Sequence, residues 1–184
     1  MRRVLPMIVA RPPATEYSHE HKVYVSRTSV DVEPISALET QRDEVLRLLV
    51  SMSEERSAYR YAPGKWSIKQ VVGHMADAER VFAYRLLRFA RGDATPVPGF
   101  DQDVFIAGAI FDELSYADLV SDWATVRAAS ITLVRTVSPG AWMRLGTASE
   151  RPCSARALLY VILGHTEHHR SILTERYSLA PSGD

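Results

Sequence analysis

Apolar residues recur along most of the chain at the three- and four-residue spacing of amphipathic helices. From about Pro34 to Met52 the stripe is Ile35, Leu38, Val45, Leu46, Leu49 and Met52, and Pro34 suits a first helical turn. The clearest element follows Ser67. Gln70 stands three residues after that serine, as in a capping box, and Ile68, Val71, Val72, Met75, Val81, Phe82, Leu86 and Phe89 continue the pattern to Gly92. A third helix is expected from Ser115 to about Val137, where Pro139-Gly140 ends it. A fourth is expected from Ser154 to about Tyr177, with Leu158, Ile162 and Ile172 on its buried face.

Between these helices the pattern lapses. Residues 93–114 are long for a plain connection and carry Pro96, Pro98 and Gly99, with a short helix expected at about Gln102 to Ile110. Residues 138–153 form a second irregular stretch, anchored by Trp142 and Leu145. Residues 1–30 contain Pro6, Pro12 and Pro13 and lack sustained periodicity. They read as an N-terminal arm with one short helix around Tyr17 to Val25, ahead of a single domain at 31–184. No segment reads as a strand. The fold class expected is therefore all-α, a bundle of four helices. The long connection between helices two and three allows those two to run parallel.

Composition narrows the function. The 184 residues hold 22 Lys plus Arg against 22 Asp plus Glu, so no net field favours a nucleic-acid backbone or an anionic membrane surface. No apolar run is long enough to span a bilayer. The apolar stretch at Val4 to Ala10 is short and broken by Pro6, and Cys153 is the single cysteine. A cytoplasmic protein with no disulfide is the expectation.

Six histidines change the picture. His165, His168 and His169 crowd one helix, and the four-residue spacing of His165 and His169 sets two imidazoles on one face. His74 interrupts the apolar face of helix two beside Val71 and Met75, an unusual place for a polar ring. If helices two and four run antiparallel, the three rings lie at similar heights. Three imidazoles around one divalent ion leave room for water or substrate, as open catalytic sites do. His168 lies at the side of the stripe, either a replacement ligand or a solvent-facing ring. The plainer reading is that the histidines only hydrogen-bond inside a structural bundle.

Other residues are open to two readings. Asp77 either orients a ligand imidazole or is an ordinary helix carboxylate, and Glu167 is expected in solvent. Tyr160 packs in the core or at the rim. Asp101 and Asp103 cap the short helix or line an opening. Arg80, Arg85, Arg88 and Arg91 either grip a substrate acid or form a solvated face. Cys153, ahead of a helix cap, carries no other mark of a nucleophile. Trp66 and Trp142 are expected to pack structurally. No residue is singled out as a general base.

The run Ala62-Pro63-Gly64-Lys65-Trp66-Ser67-Ile68-Lys69-Gln70-Val71-Val72-Gly73-His74 resembles the start of the second helix in the DinB-like family of damage-inducible, YfiT-like proteins. The stretch Asp77 to Arg85, the stretch Arg88 to Asp93, Pro98-Gly99-Phe100-Asp101-Gln102-Asp103 and Gly164-His165-Thr166-Glu167-His168-His169 resemble it too. The likeness spans about residues 35–177. It implies an up-down-down-up bundle and a three-histidine metal site, here His74, His165 and His169, holding nickel or zinc. It also implies a homodimer and a small-molecule substrate. Relatives with established chemistry are mycothiol- or bacillithiol-linked transferases and a maleylpyruvate isomerase; others are called metal-dependent hydrolases. The resemblance thus implies a metal-dependent thiol S-transferase or hydrolase, with a low-molecular-weight thiol as co-substrate in the first case. The alternative is a metal-binding or stress-responsive module without turnover.

Overall fold

The computed structural model describes residues 7–28, 31–50 and 52–179. The expectations for residues 1–6, including Pro6, lie outside the described residues, as do Ser29 and Val30 at the end of the arm. In chain order the elements are β1 (Val9–Ala10), α1 (Lys22–Val25), β2 (Asp31–Val32), α2 (Pro34–Leu49), α3 (Glu54–Ser57), α4 (Ile68–Ala90), α5 (Gln102–Gly108), α6 (Tyr116–Val134), β3 (Leu145–Ala148), β4 (Arg151–Ser154) and α7 (Ala155–Glu175). The long helices α2, α4, α6 and α7 form the four-helix bundle.

Caps define where these helices start. Ser67 accepts from the Gln70 amide while the Gln70 side chain accepts from the Ser67 amide, the reciprocal box that the sequence suggests. Ser115 and Ser154 cap α6 and α7 more simply, their hydroxyls accepting from the Asp118 and Ala157 amides. For α2 the cap is Glu33, whose carboxylate accepts from the Ile35 and Ser36 amides, with Pro34 in the first turn. The helix ends at Leu49, short of the expected Met52.

Contacts at the helix ends fix the path. Tyr177, just past α7, donates to the carbonyl of Trp66, just before α4, at 2.6 Å. At the other end, Gly146 ahead of α7 meets the Phe89 ring near the end of α4. α4 and α7 are therefore antiparallel. Arg127 meets Glu79 and Arg91 meets Thr136, so α4 and α6 run the same way. Tyr116 donates to the Leu49 carbonyl and Arg135 pairs with Glu39, so α2 and α6 oppose each other. The path is up-down-down-up, and residues 91–115 make the crossover.

The core has two parts. One gathers Phe82, Leu86, Phe89, Trp142, Leu158 and Leu159; the other gathers Val45, Leu49, Ile68, Val72, Trp123 and Leu173. Along α4 the change falls between Met75 and Ala78, and along α7 between Leu163 and Leu173. The histidines sit at or next to these changes.

Two small antiparallel sheets correct the expectation of no strands. β1 pairs with β2, Val9 opposite Val32, and β3 pairs with β4, Gly146 opposite Cys153. The β3–β4 turn places Ser149 and Glu150 at φ 51° and 63°, the left-handed region that two-residue hairpin turns require. The strands are two to four residues long, and Pro152 stands within β4. Such segments carry too few alternations to register as a period. The arm also differs from its expectation. Its α-helix covers only Lys22–Val25, preceded by a separate 3-10 turn at Ala14–Glu16.

Candidate metal centre

Three rings that the sequence sets far apart meet between α4 and α7. His74 is 2%, His165 3% and His169 6% exposed. One ligand nitrogen from each lies within 4.8 Å of the others. His74 Nε2 and His165 Nε2 are 3.1 Å apart. The ring centroids are 5.0 Å apart for His74–His165, 4.8 Å for His74–His169 and 4.5 Å for His165–His169, with steep interplanar angles. The rings thus present edges to a common point.

The donor set suits one divalent ion. Metal–imidazole bonds of about 2.0–2.1 Å in a tetrahedral shell place neighbouring nitrogens about 3.3 Å apart, close to the His74–His165 spacing. A ring must be neutral to ligate. Burial pushes the His74 imidazole down to about 4, and holds His165 and His169 well below the ordinary histidine range. Neighbouring histidines push the same way, because no two of them tolerate charge together. His169 Nδ1 is buried with no partner among the described residues.

The surroundings hold the rings in place. Trp66 lies against His74 at 4.9 Å, Phe82 against His165 at 5.5 Å, and Tyr24 against His165 at 5.2 Å. A cavity of about 420 Å³ reaches His169 and is lined also by Tyr24, Tyr61, Trp66, Lys65 and Asp103. His168 lines the cavity but stands outside the three-nitrogen cluster, with its ring on Tyr24 at 5.7 Å.

The other sequence candidates are mostly spent elsewhere. Asp77 pairs with Arg80, which also pairs with Asp122, and it bonds no imidazole. Glu167 pairs with Arg170. Tyr160 is fully buried and donates to the Val9 carbonyl at 2.9 Å, so it is a core residue rather than a rim residue. Asp101 caps α5, while Asp103 reaches the cavity. Arg85 donates to the Pro98 carbonyl, Arg88 pairs with Asp93, and Arg91 binds Thr136. Burial raises the Cys153 thiol to about 12, which removes it as a nucleophile. Trp142 packs in the core as expected, whereas Trp66 forms part of the site.

Sequence reasoning did not find Tyr24, Arg127 or Glu79. Arg127 binds Glu79 with two nitrogens, Gln41 at 2.9 Å and Thr166 at 2.8 Å, joining all four long helices one residue from His165. The available signal was a charged pair falling on otherwise apolar helix faces.

The fold has solved relatives. YfiT of Bacillus subtilis, described as "a probable metal-dependent hydrolase with an unusual four-helix bundle topology", superposes with a TM-score of 0.71 at 16% identity, over 90% of this chain and 91% of that one. A DinB-like protein of Bacillus cereus superposes with a TM-score of 0.59 at 15% identity, over 83% and 95% of the two chains. In sequence, the chain is 33% identical over 70 residues to a protein of Oceanobacillus iheyensis named "Putative metal-dependent hydrolase". That match spans 38% of this chain and 40% of the relative's length. The model of the DinB superfamily matches residues 37–173, from α2 through α7, and the chain belongs to that superfamily.

Proposed function

We propose that this protein is a metal-dependent enzyme for a small molecule, with one divalent ion, nickel or zinc, held by His74, His165 and His169. The observation that carries the reading is the convergence of three buried, neutral imidazoles beside a cavity of about 420 Å³. Three protein ligands are the number that leaves a fourth position for substrate.

When bound, such an ion supplies Lewis acidity, which acidifies a water or thiol in contact with it. The chain's residues supply the rest. Trp66, Tyr61 and Tyr177 form an aromatic wall that sheds water from the histidine side of the cavity, and Tyr177 ties Trp66 by its carbonyl. Lys65 has no ion-pair partner among the described residues and offers a cation to an anionic group of the substrate. Asp103 offers an acceptor on the same lining.

Water as the attacking group gives hydrolysis, the reaction named for the Oceanobacillus relative. A low-molecular-weight thiol gives S-transfer to an electrophile, which the resemblance to thiol-dependent members of the family favours. The reading includes a cytoplasmic homodimer; no helix among the described residues is long and apolar enough to cross a membrane.

Elemental mass spectrometry on tag-free protein tests it first. About one nickel or zinc per chain is expected, lost in His74→Ala. Panels of thiol-plus-electrophile pairs and of hydrolysable esters and amides follow, with turnover abolished in His165→Ala. Protein that takes up no metal defeats the reading, and stoichiometric metal without turnover leaves a binding module.

A further inference from the structure

Residues 7–28 precede the stretch that the superfamily model matches, and they form a strap over one side of the histidine cluster. Three anchors hold the strap. The Val9 carbonyl accepts the Tyr160 hydroxyl at 2.9 Å, and Val9 pairs with Val32. Glu16 takes both ends of the Arg156 guanidinium at 2.7 and 2.5 Å, with both side chains largely out of solvent. At the third anchor α1 presses on α7 at Gly164. A Cβ there would stand 2.0 Å from the Tyr24 carbonyl oxygen, so only glycine permits the approach.

This close approach determines where the Tyr24 ring goes. It lies edge-on to His165 at 5.2 Å and to His168 at 5.7 Å. Tyr24 also lines the cavity that reaches His169 and Trp66. The ring is fixed by its packing, yet the hydroxyl makes no hydrogen bond with any described residue. A phenol in this setting is protonated at neutral pH and has a donor to give. Tyr24 is half-buried on the cavity wall, so its hydroxyl is open to water, and an acceptor on a bound ligand can take that water's place.

We propose that Tyr24 is a substrate-contacting residue: the strap brings its phenol to the cavity, where the hydroxyl donates a hydrogen bond to an oxygen of a small molecule bound at the three histidines. The inference rests on the metal-centre reading above. It assigns the strap a share in substrate recognition, a share that the matched superfamily region does not contain.

Cobalt(II)-loaded protein titrated with acetohydroxamate provides the test, because the visible cobalt bands report ligand binding without turnover. Tyr24→Phe keeps the ring against His165 and removes only the hydroxyl. It is expected to take up cobalt with the wild-type stoichiometry and melt at the wild-type temperature, while binding the hydroxamate about tenfold more weakly, the scale of one hydrogen bond to a charged acceptor. Tyr24→Ala should weaken binding at least as much. A Tyr24→Phe protein that binds hydroxamate as the wild type does overturns the proposal and leaves the metal centre standing. Loss of cobalt itself from Tyr24→Phe also overturns it, since the residue would then support the ligands rather than the substrate. Wild-type protein that takes up no cobalt brings down the metal-centre reading, and this inference with it.

Discussion

Arg127 and Glu79 form a two-point ion pair inside the bundle, with side chains 0% and 2% exposed. Arg127 adds Gln41 and Thr166 to the pair, and the Gln41 amide donates in turn to the Leu163 carbonyl. The pair stands within a helical turn or two of the clustered histidines on both α4 and α7. It is a polar knot in an apolar interior, satisfied on nearly every side.

Breaking the knot at one end strands a charge. Arg127→Ala or Glu79→Ala should each cost about 3–5 kcal/mol of stability. Replacing both, as Arg127→Met with Glu79→Leu, should cost less than either single change, because no uncompensated charge remains. Urea denaturation of the three variants decides the matter, and a double variant weaker than both singles would contradict it.

Acid should unfold the metal-free protein by way of its histidines. Burial lowers His74 and His21 to about 4 in the folded state, while the unfolded chain protonates near the ordinary 6.5. The folded pKa is the lower one, so the unfolded state binds more protons between those values, and stability falls as pH drops through that window. The expected slope is about 1.4 kcal/mol per pH unit for each such ring. Chemical denaturation of metal-free protein at pH 7, 6 and 5 measures it. His74→Ala should flatten the slope, and an unchanged slope would count against the assignment.

The seat of the strap has its own test. Gly164→Ala sets a methyl group against the Tyr24 carbonyl, where the contact is with backbone and cannot swing away. We expect a loss of about 1–3 kcal/mol and faster amide hydrogen exchange across residues 22–28, with the four long helices unchanged. Exchange rates equal to wild type in that segment would show that the strap tolerates displacement.

The helices were legible because each has a cap and a stripe. Ser67, Ser115 and Ser154 mark their starts, and the apolar spacing of α4 and α7 carries the rest. His74, His165 and His169 were legible for the same reason, since a polar ring on an apolar stripe contradicts its neighbours. Tyr24 was hidden because its place depends on tertiary contact with Gly164, and nothing in the surrounding arm has a period. Arg127 and Glu79 each fall as a charge on an apolar helix face, but nothing in the sequence pairs them until α4 and α6 are laid side by side in the same direction. The β3–β4 hairpin escaped because its turn uses Ser149-Glu150, where Asn-Gly would have announced it.

The strap and its seat lie far apart along the chain. Glu16 and Arg156 are 140 residues apart, and Val9 and Tyr160 are 151 apart. A ribosome adding about 5–20 residues per second therefore needs roughly 7–30 seconds between making the strap and making the helix that receives it. During that interval residues 7–28 have no seat, and His74 waits without the two imidazoles that complete its cluster. α7 brings both at once, so the order of synthesis delays closure of the site until that helix is made. A chain cut short before α7 loses two of the three clustered imidazoles and the seat of the strap in a single stroke.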